Sequence, residues 1–168
     1  DAVYGCSMGG SIALMTALGQ KIRIRHCVID GGITPYQLPW IVTRFIALKA
    51  YLMMMIGRAG GVGLLEKAFA TDDYSSEDLH YVADVLRHCS GKTLWRTFDS
   101  CNNYKVPEPL PVIDTQIHYW YAKDEEKERK KDLHYMKTKF PQTKFEVLPD
   151  LGHAGLVLQK PELFVEMI

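Results

Sequence analysis

Residues Gly5-Cys6-Ser7-Met8-Gly9-Gly10 constrain this chain more than any other stretch. They spell Gly-x-Ser-x-Gly between the apolar run Ala2-Val3-Tyr4 and an Ala/Leu/Met-rich helical pattern from Ser11 to Leu18. Strand, tight turn and helix in that order place Ser7 on a sharp bend with its hydroxyl pushed outward. Gly5 and Gly9 flank it because a Cβ there would clash in so tight a turn. The helix that follows aims its first N–H groups where negative charge would develop during attack on a carbonyl. The same motif also occurs as a βα turn without chemistry, so other residues have to decide between the two.

Two later features do so. A strand pattern, Ile117 to Tyr121, ends in Ala122-Lys123-Asp124-Glu125, and a turn Leu151-Gly152-His153-Ala154 follows the last strand pattern. The order is serine, acid, histidine. With these residues in this order the chain resembles an α/β-hydrolase, from the elbow strand to a closing helix at Pro161–Ile168. The resemblance implies an α/β fold, a parallel sheet with a helical cap inserted between strands. It implies Ser7 as nucleophile, His153 as general base and the Met8 backbone N–H as one oxyanion donor. Family members carry Gly-x-x-acid after the acid strand. Ala122 stands at the glycine position, and three residues on is Glu125. Asp124 is the commoner residue type for the role. Glu125 is therefore the first choice for the acid and Asp124 the second. The resemblance also implies strands ahead of the elbow strand and a second oxyanion donor among their loops, so the chain reads as a C-terminal portion of the fold.

Composition narrows the partners. At 168 residues and 47% apolar content the chain can bury a core. Lys plus Arg and Asp plus Glu balance at 20 each, which gives no electrostatic basis for binding nucleic acid. The dense charge of Lys123–Lys139 carries both signs and reads as a solvated helix face. Cys6, Cys27, Cys89 and Cys101 form no Cys-x-x-Cys pair and no zinc spacing. The expectation is no metal, no cofactor, free thiols and a reducing, cytoplasmic setting.

Along the chain, Ile24–Ile29 reads as a buried strand ending in Asp30-Gly31-Gly32. The first helix is expected to stop at Gly19. From Ile33 to Tyr104 no strand periodicity appears, and the region reads as inserted helices. Leu38–Ile56 is strongly apolar, but Arg44 and Lys49 sit inside it on different faces. A buried or half-buried cap helix is expected rather than a membrane insertion. Gly57–Gly63 reads as a flexible turn. Ser75 or Ser76 caps a helix with the stripe Leu79, Val82, Leu86 and Cys89, which Gly91 ends. Pro107, Pro109 and Pro111 make a stiff extended return. A charged helix over Glu126–Phe140 and a strand over Lys144–Leu148 complete the pattern. The expected organisation is a core of residues 1–32 and 105–168 with a cap of residues 33–104. Trp40, Phe45, Tyr51, Met53, Met54 and Met55 of that cap either line an apolar pocket or pack the cap against itself.

These residues point to a serine hydrolase working through an acyl-enzyme on a small-molecule carboxylic ester with an apolar moiety. The alternative from another class is a non-catalytic ligand-binding or regulatory protein on the same fold. An elbow strand left with one bare edge is expected to favour self-association.

Overall fold

The computed structural model describes residues 1–35, 38–69 and 75–168. Four parallel strands form one sheet in the order β1-β2-β3-β4: β1 (Ala2–Cys6), β2 (His26–Asp30), β3 (Gln116–Ala122) and β4 (Lys144–Leu148). The register pairs Cys6 with Asp30, Asp30 with Trp120, and Ala122 with Leu148, so the carboxyl ends of neighbouring strands come together. The short apolar runs alternate with helices, and this is what commits the chain to parallel pairing with crossovers. The expected α/β class and parallel sheet are what is found.

Successive side chains on a strand point to opposite faces, so each face gathers its own core. Cys27 and Ile29 of β2 and Ile117, Tyr119 and Tyr121 of β3 pack with Leu14, Ala17 and Leu18 of helix α1 (Met8–Gly19). Met136 of helix α6 (Lys130–Lys139) closes that layer. Val28, Trp120 and Leu148 point the other way and meet Leu151, Leu156 of α7 (Gly155–Gln159) and Phe164 of α8 (Pro161–Met167). Phe164 stands edge-on to both Tyr4 and Trp120.

Contacts divide the chain into two compact units, Asp1–Gln37 with Tyr104–Ile168, and Leu38–Asn103. The regular elements among the second unit's described residues are all helices: α2 (Trp40–Ala59), α3 (Val62–Phe69), α4 (Ser76–His88) and α5 (Gly91–Asn103). Its boundaries are narrower than residues 33–104. Ile33 belongs to the first unit because its carbonyl accepts from Ser11 Oγ and from Tyr104 Oη. Residues 36–37 and 70–74 of the expected insertion lie outside the described residues.

Within the second unit Met54, Leu65, Ala83 and Leu94 form the core, with Tyr51, Met55, Leu86 and Cys89 against it. Trp40, Phe45 and Met53 are exposed on that unit, so the six candidate pocket residues divide between packing and exposure. Among the described residues helix α2 is the one helix long and apolar enough to cross a membrane, and little of it is buried. It is less buried than the buried or half-buried helix expected. Arg44 on α2 pairs with Asp99 at 3.0 Å and lies over the Trp40 ring.

Several local expectations are corrected. Helix α1 includes Gly19, and Gln20 takes the left-handed cap position at φ 51°, its side chain held by the Val112 carbonyl. Gly57 is a buried residue of α2 rather than part of a turn, packed against Leu65, and the turn is confined to Gly60-Gly61. Ser75 caps α4 by accepting from Asp78 N, but Gly91 opens α5 instead of ending α4, whose cap is Cys89. The charged helix does not begin at Glu126. A 3₁₀ turn, Lys123–Lys127, comes first and α6 starts at Lys130. That tighter winding carries Glu125 inward at the end of β3.

Candidate active site

The site grows from the carboxyl ends of β1, β2 and β3. Ser7, immediately after β1, has φ 54° and ψ −120° and serves as the residue before α1. A non-glycine residue in this region stores about 1–3 kcal/mol, so neighbours must hold it there. They do: Ser7 N–H donates to Asp30 O at 2.8 Å, and Gly10 N–H donates to Ser7 O at 3.0 Å. Of the two flanking glycines only Gly5 is required by contact: a Cβ on Gly5 would lie 2.0 Å from the Gly9 carbonyl oxygen, whereas one on Gly9 would meet nothing within 4 Å, contrary to expectation. Met8 is the first helical residue, so its N–H has no partner inside the helix and stays available to an anion.

His153 lies in the loop between β4 and α7, where Asp150 and Ala154 both take positive φ, 58° and 64°. Its Nδ1 is 2.8 Å from Glu125 Oε1. Glu125 is buried while Asp124 is exposed. The structure therefore brings Glu125 to His153 and leaves Asp124 facing solvent. Ser7 and His153 border the same loop: a Cβ on Gly31 would lie 3.0 Å from the His153 ring, and one on Gly32 would lie 3.3 Å from Ser7 O. No hydrogen bond joins Ser7 Oγ to His153 among the described residues. Such contacts commonly tighten only when substrate is bound.

That loop is firmly tied. Gly31 N–H donates to Trp120 O at 2.8 Å, and Tyr119 Oη donates to Gly32 O at 2.6 Å. Gly31 itself has φ 56°, a conformation open to glycine without strain.

Electrostatics follow the geometry. The hydrogen bond to Glu125 raises the His153 pKa; burial opposes it, and the net direction is up. Burial alone would raise Glu125, but the bond from His153, its charge and the Arg129 guanidinium outweigh burial and bring the net shift down. Burial pushes the Cys6 thiol up to about 12, which leaves it inert beside Ser7. Cys6, Cys27, Cys89 and Cys101 are all free thiols.

Four residues of this neighbourhood were not singled out from the sequence. Asp30, at the end of β2, is 3% exposed and accepts from Tyr4 Oη at 2.7 Å. Burial raises its pKa against the Tyr4 bond and the His153 charge. Arg129 reaches Glu125 Oε1 through Nε and Nη2, each at 3.3 Å, and stands 3.7 Å from Asp132. Asp132 in turn accepts from Thr34 N–H at 2.7 Å and Thr34 Oγ1 at 2.9 Å. The available signal was spacing: Glu125 to Arg129 is i,i+4 and Arg129 to Asp132 is i,i+3. It was hidden in a charge run that reads as a solvated helix face.

Residues 1–167 match a sequence profile described as the alpha/beta hydrolase family. The chain belongs to that family. Among solved structures it resembles MenH from S. aureus, at 17% identity and TM-score 0.70 over 99% of this chain and 65% of that one. It also resembles the esterase EaEST from Exiguobacterium antarcticum, at 17% identity and TM-score 0.72 over 98% of this chain and 63% of that one. A third is the epoxide hydrolase CorEH, at 13% identity and TM-score 0.70 over 99% of this chain and 65% of that one. The chain thus spans less than two thirds of the length of these solved relatives. None of the curated proteins matches it significantly. Neighbours named for such different reactions share the fold, and it is the site residues that must distinguish their chemistry.

Proposed function

We propose that this chain carries the catalytic residues of a serine hydrolase that forms an acyl-enzyme on carboxylic esters. Ser7 Oγ attacks the carbonyl carbon as its proton passes to His153 Nε2. The same imidazolium then protonates the departing alcohol, and water repeats the sequence to release the acid. Glu125 holds the His153 ring through Nδ1 and stabilises its cationic form. The Met8 N–H donates to the oxyanion. The observation that carries this reading is the 2.8 Å bond between His153 Nδ1 and Glu125 Oε1, formed at the strand end next to a serine held at φ 54°. An esterase among the structural neighbours agrees with an ester substrate. No cofactor is invoked, and a cytoplasmic location rests on the four free cysteines.

The test is labelling of the intact protein with a fluorophosphonate, followed by peptide mass mapping. Modification confined to Ser7, with loss of activity on a short-chain aryl ester, is the expected result. A folded protein that neither reacts nor turns over ester, and that binds small apolar ligands with Ser7 untouched, would favour the non-catalytic binding protein.

A further inference from the structure

Behind the His153–Glu125 pair stands a cation in contact with the same carboxylate oxygen. Glu125 Oε1 receives His153 Nδ1 at 2.8 Å and both Nε and Nη2 of Arg129 at 3.3 Å. The side chains of Glu125 and Arg129 are only 10% and 16% exposed, so water screens this charge less than it would at the surface. The guanidinium is fixed from the far side. Asp132, 4% exposed, lies 3.7 Å from it and is itself held by two bonds from Thr34. The Glu125 backbone is also fixed, since its carbonyl accepts from Arg129 N–H at 2.9 Å within the turn.

We propose that Arg129 is a positioning residue that sets the pH range in which His153 serves as a base, by placing a fixed positive charge on the carboxylate oxygen that His153 shares. The proposal rests on the triad reading above. A protonated His153 would be a second cation on one oxygen, and Arg129 therefore weakens proton binding by the ring. The other charged or titratable groups around the pair are Asp30, which faces His153 and favours its cation, the Cys6 thiol, and the Tyr119 hydroxyl. Neither Cys6, with its thiol pushed up to about 12, nor Tyr119, shifted higher still by burial, carries charge near neutrality. Substitution at Arg129 also removes the cation beside Asp132, whose buried carboxyl then holds its proton more readily.

The experiment is an NMR titration of ¹³C-labelled histidines in the intact protein, with His153 assigned through His153→Asn. It is run on the parent, Arg129→Met and Arg129→Lys, beside the pH profile of kcat/KM on an aryl ester. Arg129→Met should move the His153 midpoint up by about half a unit to one unit. The acid limb of kcat/KM should move with it, a loss of up to about tenfold below the limb that recovers at alkaline pH. Arg129→Lys should restore the parent midpoint, because the charge returns. A folded Arg129→Met protein whose His153 midpoint stays put or falls would overturn the proposal. If Met is not tolerated at this position, Arg129→Gln removes the same charge while keeping a donor, and the same two outcomes apply. The NMR arm needs no turnover. A midpoint that rises in a protein without esterase activity sustains the role of Arg129 and counts against the hydrolase reading alone.

Discussion

Glu125 Oε1 lies 2.8 Å from His153 Nδ1 across 28 residues of sequence. One helix and one strand separate the two, and the parallel crossover returns the chain to the same end of the sheet. The neighbouring Asp124 points to solvent. A carboxylate that holds the imidazole through Nδ1 leaves Nε2 free to face Ser7.

The two adjacent acids should therefore behave very differently. Glu125→Gln is expected to lower kcat about 10³-fold with little change in KM, because the interaction is needed when His153 becomes cationic. Asp124→Asn should stay within about twofold, the usual result at an exposed site. Steady-state kinetics of both variants on one ester decides the matter. Equal losses would show that Glu125 is not the acid of the site.

The same pair should contribute to stability in a bounded pH window. His153 has its pKa raised in the fold by the Glu125 bond, so its contribution is complete below about 6.5 and fades as pH rises through the folded value. Glu125 has its pKa lowered, burial being outweighed by His153 and Arg129, so its contribution is complete above about 4.3 and fades as pH falls through the folded value. The overlap runs from about pH 4.3 to 6.5. A double-mutant cycle of Glu125→Gln and His153→Asn, read by urea unfolding, should give a coupling of about 1 kcal/mol at pH 5.5 and less at pH 8.5. The figure is reduced because His153 is 38% exposed and partly screened. A coupling that grows toward pH 8.5 would contradict the assignment.

Gly31→Ala should damage chemistry more than folding. The added Cβ would meet the His153 ring at 3.0 Å and Glu125 Oε2 at 3.1 Å, at a residue with φ 56°. Strain of about 1–2 kcal/mol is expected from the left-handed backbone alone. The crowded imidazole loses its placement relative to Ser7, and misplacement of this kind can cost about 10²-fold in rate. Thermal unfolding together with kcat/KM separates the two effects. A variant with normal turnover and a lowered Tm would show that the loop tolerates the methyl.

Strand β1 pairs with β2 and lies at the edge of the described sheet. Its outer backbone groups are a template for another strand, and Ile12 on the adjoining helix is 61% exposed. Residues 1–168 expressed alone should self-associate, with sedimentation values rising with concentration. They should also turn over aryl esters at least about tenfold more slowly than a chain supplying a second oxyanion donor. A monomer with robust, Ser7-dependent turnover would show that the edge and the single donor suffice.

What the sequence determined by itself was local. Gly5 before Ser7 made the elbow, because the turn excludes a Cβ there, while Gly9 is under no such constraint. Ser75 made a cap, Pro161 opened a helix, and apolar runs alternating with helical periods implied parallel pairing, since periodicity and turn sterics act within a few residues. Ser7, His153 and a choice of two acids were legible as candidates for the same reason. The choice between Glu125 and Asp124 depended on the winding of a 3₁₀ turn, which placed one carboxylate inward and its neighbour outward. The helix limits at Gly57 and Gly91 depended on packing, where Leu65 against Gly57 and Tyr51 against Gly91 override the weak propensity of glycine. Asp30, Arg129, Asp132 and Thr34 acquire meaning only once β2, the loop after it and α6 are brought together. Their charges and hydrogen bonds act across 98 residues between Thr34 and Asp132, and burial, a property of the assembled fold alone, turns an ordinary charge run into a network.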